Sequence, residues 1–175
     1  MYKPLLIFVS ILMLGCESRK TDLVATYFDL PGYLAVEQKK LELKSVEATI
    51  YWSKNDKLDS AISKKVNWKD AFAPLKKLNL NKPAFQGSFH IDTTIFQEGF
   101  VVTYSAKSPK VQPTLLKLTF IEGKVAELYA EVVNSNPLYE SSFRYTFVPD
   151  NKLAVSGTQK VIFGKKQEFS RTLTF

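Results

Sequence analysis

The chain has 175 residues, one cysteine, one histidine and a formal net charge of +7. A single cysteine excludes an intrachain disulfide framework and a multi-cysteine zinc site, and a single histidine leaves little room for a His-based metal centre or a Ser-His-Asp triad. The 45% hydrophobic fraction is that of a globular chain, and the length suits one domain with a tail.

Residues 1–15 read as an export signal rather than as part of the fold. Lys3 is a short basic start, and Leu5 to Leu14 (LLIFVSILML) is an apolar run interrupted only by Ser10. A spanning helix needs about 20 apolar residues, so this run is too short to cross a bilayer and fits a signal-peptide core. Met13-Leu14-Gly15-Cys16 closes the run.

That tetrapeptide resembles a bacterial lipobox, although Met13 stands where leucine is usual and Leu14 where a smaller residue is usual. The resemblance implies cleavage before Cys16 and attachment of diacylglycerol to its thiol. Two or three acyl chains give stable anchoring where one does not. The competing reading is an ordinary secretory peptide followed by an incidental thiol. A lipidated Cys16 implies a protein held in the cell envelope, with the membrane as a partner and no nucleic acid within reach. Lipoprotein sorting rules, carried over by the same resemblance, make Glu17 favour the outer membrane over the inner. Cys16 and the polar, aperiodic stretch through Thr26 form the lipidated tether, leaving 27–175 as a single domain.

Two helices are expected first. Asp29 is a plausible N-cap with Pro31 in the first turn, and Leu30, Leu34 and Leu41 lie on one stripe. The second helix starts at Asn67, with Asp70 in a capping-box-like position and Trp68, Phe72, Leu75 and Leu78 facing inward. Pro74 predicts that it is short or kinked. Between the helices, Val46, Ala48 and Ile50 alternate with polar residues, which predicts a strand that turns at Lys54 to Lys57 and returns over Leu58 to Ser63.

From Ala84 onward, β-branched and aromatic runs recur between turn signals. Strands are expected over 85–93, 100–106, 114–121, 125–133, 139–148, 153–163 and 169–175. Glu122-Gly123 marks a tight turn, and Gly164-Lys165 predicts a type II′ hairpin. Phe143, Tyr145 and Phe147 share a face opposite Arg144 and Thr146. Ala126, Leu128, Ala130 and Val132 oppose Glu127 and Glu131, with Val125, Tyr129 and Val133 on the glutamate side. One apolar and one polar side per strand is the pattern of an antiparallel sheet covered on one face. The fold expected is α+β: a curved antiparallel meander of about seven strands packed on two short N-terminal helices, with an incomplete barrel as the main variant.

Catalytic constellations are sparse. His90 shares a strand face with Asp92, which reads as a solvent-side pair. Glu127 and Glu131 share a strand face at a spacing within reach of carboxylate chemistry, but surface acids are the simpler reading. Ser105-Ala106-Lys107 and the Ser60 to Lys64 stretch are short matches of the kind common in lysine-rich chains. No glycine-rich phosphate loop, nucleophile elbow or zinc-binding helix motif is present. The basic charge is almost all lysine, in doublets such as Lys39-Lys40 and Lys165-Lys166, which reads as a solvated surface. Tyr51, Trp52 and Tyr129 are candidates for a stacking platform.

Two functions follow as expectations. The first is a lipid-anchored, non-enzymatic binding or scaffold module of the envelope, contacting an envelope protein or glycan through the open face or edge of the sheet. The alternative is a carrier for an apolar ligand. The expected layout resembles the periplasmic lipoprotein-carrier and receptor family, in which a curved sheet wraps helices around an apolar cavity. That resemblance is architectural and carries over no site residue. A catalytic site, a cofactor and a metal are all expected to be absent.

Overall fold

A computed structural model describes residues 27–55 and 57–175. The export signal, the lipobox with Cys16 and the tether all lie outside the described residues.

The elements follow the sequence closely at the start. Helix α1 (Leu30–Leu43) is capped by Asp29, whose Oδ1 accepts from the Gly32 N–H at 3.0 Å, and it buries Leu30, Leu34 and Leu41. Helix α2 (Trp68–Lys76) is capped by Asn67. The Asn67 Oδ1 accepts from the Asp70 N–H at 3.2 Å, while its Nδ2 donates to the Asp70 carboxylate at 2.8 Å. Pro74 lies inside α2, and the helix is correspondingly short at 9 residues.

Nine strands form one antiparallel sheet: β1 (Ala48–Lys54), β2 (Lys57–Ser63), β3 (Phe89–Phe96), β4 (Gly99–Ala106), β5 (Leu115–Ile121), β6 (Lys124–Asn136), β7 (Tyr139–Val148), β8 (Lys152–Val161) and β9 (Gln167–Thr174). Their spatial order is β2-β1-β9-β8-β7-β6-β5-β4-β3. The meander runs from β3 to β9. The count is nine rather than about seven because the N-terminal hairpin joins the same sheet. β1 pairs with β9, setting Ile50 opposite Leu173. The α+β class holds, but the sheet does not close into a barrel, and β2 and β3 remain as its two edges.

Three local expectations give way to backbone chemistry. The strand expected from Phe85 starts at Phe89, because Pro83–Phe85 form a 3-10 turn and Gly87 takes a left-handed φ of 70°. Val125 joins the covered face rather than the glutamate side. The pairing with β5 shifts register between Thr119 and Phe120, so that Val125 pairs Phe120 and Ala126 is the extra residue of a bulge. Gly164 is not left-handed, so no type II′ turn forms, and β8 and β9 are joined by a longer loop. The Glu122-Gly123 turn is tight as expected, with φ of 50° and 73°, the signs of a type I′ hairpin.

Both helices lie on one face of the sheet and share its core. Phe72 and Tyr33 meet Phe147 edge-on, at centroid distances of 5.1 and 6.4 Å, and Trp68 meets Phe175 at 4.7 Å. Leu116, Leu118, Leu128 and Ala130 form the floor beneath them. Trp68, Phe72 and Leu75 are all buried in this shared core.

Candidate functional site

Because side chains alternate along each strand, the helix layer leaves the opposite face of the sheet open. The registers align one residue from each strand into a rung across that face. Ser53 on β1 neighbours Ser170 on β9, which neighbours Ser156 on β8, which neighbours Arg144 on β7. The rung continues through Glu131, Leu115 and Ser105 to His90 on edge strand β3.

The serine half of this rung is the floor of a basin of about 430 Å³. Serines are short, so three of them side by side leave a depression between longer neighbours. Ser53 and Ser170 share a hydroxyl hydrogen bond at 2.8 Å. Ser142 and Thr158 extend the hydroxyl lining along the next rung. One wall is Arg144. The other is Asn55 with the Lys166–Glu168 ion pair, 2.7 Å long. The Asn55 Oδ1 accepts from the Glu168 N–H at 2.9 Å, which fixes the β1–β2 turn against β9. Lys166 holds the Glu168 carboxyl below its ordinary pKa, so that wall stays zwitterionic at neutral pH. Arg144 makes no salt bridge among the described residues. Its fork of donors is therefore available beside a hydroxyl-lined floor.

Next to Arg144, Tyr129 donates its hydroxyl to the Glu131 carboxylate. Burial, together with that carboxylate, pushes the tyrosine up to about 12. Tyr129 is thus a neutral donor at any physiological pH and orients Glu131 rather than acting as a base.

The sequence candidates distribute as follows. His90 and Asp92 share the outer face of β3, both exposed, as expected. Glu127 and Glu131 share the outer face of β6, but Glu131 is engaged by Tyr129. Lys107, half of the Ser105-Ala106-Lys107 match, donates to the Gly87 carbonyl at 2.8 Å and is committed to a loop. Tyr51 and Tyr129 do lie on the outer face. Trp52 does not: it alternates with Tyr51 and stands with Arg171 on the helix side, beyond the reach of the helices. No local sequence pattern marks the serine basin. Its residues come from β1, β7, β8 and β9, and only the strand order brings them together.

Among the described residues no group of three or more His, Cys, Asp or Glu side chains could hold a metal ion, and no helix is long and apolar enough to cross a membrane. Fold and site define an open α+β sheet covered on one face, with a polar basin on the other. In comparison with known proteins, no family model matches the chain, and no curated protein matches it.

Proposed function

We propose that this protein is a lipid-anchored binding or scaffold module of the cell envelope, attached through Cys16 and contacting its partner through the outer face of the sheet. The observation that carries this reading is the one-sided covering of the sheet: a layer of two helices packs one face, and the other presents the hydroxyl-floored basin beside Arg144. Hydroxyls and a guanidinium with no salt bridge among the described residues suit a polar partner with an acidic group, such as an envelope glycan or an acidic protein segment. The carrier alternative needs apolar volume beneath the helices, and the burial of Trp68, Phe72 and Leu75 there favours the binding module over it. No catalytic role is assigned to any residue of the basin.

The test has two arms. Replacing Cys16 with serine in the intact chain should move the protein from the membrane to the soluble fraction of the envelope. A photo-crosslinking side chain at Ser156, in the basin floor, should trap one recurrent envelope component in living cells. The same group at Val36, on the solvent side of α1 and 66% exposed, should not. Unchanged membrane attachment of the Cys16 variant would remove the anchor from the proposal. Identical adducts from both crosslinking positions would remove the basin.

A further inference from the structure

The two edges of the sheet are not alike. β2 carries Lys57 and Asp59, runs into Lys64-Lys65, and buries none of its residues. Charged residues on a terminal strand, lysine above all, are the usual protection against strand addition. β3 carries a single charged side chain, Asp92, and no lysine. The chain holds 24 basic residues, yet none falls between Lys82 and Lys107. The β3 sequence is FHIDTTIF, rich in β-branched residues, with Ile91 53% and Ile95 81% exposed.

The direction of its backbone groups can be read from two bonds. The Ser88 carbonyl accepts from the Lys107 N–H at 2.9 Å, so Ser88, His90, Asp92, Thr94 and Phe96 turn their backbone groups toward β4. The groups of Phe89, Ile91, Thr93 and Ile95 therefore point away. The Phe89 N–H confirms the phase, since it donates to the Tyr27 hydroxyl at 3.4 Å. Ile91, Thr93 and Ile95 are left facing an edge that has no neighbouring strand among the described residues.

We propose that β3 pairs antiparallel with β3 of a second copy, about a two-fold axis through Thr93, joining the two sheets edge to edge. This register maps the three free residues onto themselves. Thr93 meets its counterpart, and Ile91 meets Ile95 of the second copy on the helix side of the sheet. On the outer side Asp92 meets Thr94, and His90 meets Phe96. Ile–Ile and Thr–Thr neighbours are favourable cross-strand pairs, and no like charges are opposed. Centring on Asp92 instead would bring two carboxylates face to face. The paired edge gains about six backbone hydrogen bonds. The two-fold axis runs perpendicular to the sheet, so both serine basins lie on one continuous outer face. The inference therefore does not depend on what the basin binds.

The register makes the test specific. In the intact chain with Cys16 replaced by serine, a Thr93→Cys variant should form a disulfide-linked dimer under mild oxidation. An Ile91→Cys variant should not, because its two thiols would sit on the order of 13 Å apart along the strands. Sedimentation of the chain without an added cysteine should show a monomer–dimer equilibrium. An Ile95→Lys variant, altered where the side chain is already exposed, should weaken that equilibrium at least tenfold. A monomer at every concentration would overturn the proposal, as would equal crosslinking from positions 91 and 93. Residues 1–26 of the same chain lying along β3 would produce the monomer result.

Discussion

Asp150 sits at a φ of 53° in the turn between β7 and β8, where an aspartate or asparagine is tolerated better than most residues. Its carboxylate accepts from Lys40 Nζ at 2.6 Å and Lys44 Nζ at 2.9 Å, so one surface side chain ties the end of α1 to the sheet. Those two ammonium groups hold the Asp150 carboxyl below its ordinary range. A carboxyl depressed in the folded state binds fewer protons there than in the unfolded chain. Its contribution is thus complete above the unfolded pKa of about 3.9 and disappears as pH falls through the lower folded value. The pair is half exposed and screened, so the contribution is small, about 0.5–1 kcal/mol. Asp150→Asn keeps the left-handed backbone and removes the charge. Urea titrations should show the variant less stable by that amount at pH 7, with the gap shrinking as the pH falls below about 3.9. A stability gap that persists unchanged in acid would mean that the ion pairs are not its source.

At the scale of elements, α2 stabilises through its buried face rather than through its length. It is too short to be stable alone, and Pro74 removes one of its few internal hydrogen bonds. Phe72 is fully buried, edge-on to Phe147, so Phe72→Ala should cost about 3–5 kcal/mol. Asn67→Ala, which removes only the cap, should cost about 1 kcal/mol. Chemical denaturation of the two variants measures both. A smaller loss for Phe72→Ala than for Asn67→Ala would show that helix initiation, not packing, holds α2 in place. The same contrast separates what was legible in the chain from what was not. The Asp29 and Asn67 caps, the Leu30/Leu34/Leu41 stripe and the alternation of Phe143, Tyr145 and Phe147 are local patterns, and each is visible within one element. The bulge at Ala126 sets Val125 opposite Phe120 with both against the core, and alternation within β6 alone gives no sign of it. The serine basin is further from view. Ser53, Ser156 and Ser170 become neighbours only when β9 inserts between β1 and β8.

At the scale of the whole molecule, two kinds of strand pairing hold the sheet together, and they differ in sequence separation. Each neighbouring pair from β3 to β9 is a hairpin, as in Leu118 opposite Leu128. The β1–β9 seam instead joins the two ends of the described chain, with Ile50 opposite Leu173. Closing a longer loop costs more entropy before any contact is gained, so local hairpins favour early formation and the seam late formation. Leu128 and Leu173 are both buried leucines on the covered face, one in each kind of pairing. Truncating either to alanine should destabilise by about 2–5 kcal/mol, but the kinetics should differ. Leu128→Ala should slow folding, because its contacts are already made in the transition state. Leu173→Ala should leave the folding rate nearly unchanged and speed unfolding instead. Folding and unfolding rates measured against denaturant concentration separate the two. If Leu173→Ala slows folding as much as Leu128→Ala does, the seam forms in the nucleus. The N-terminal hairpin would then join β9 before the rest of the meander is complete.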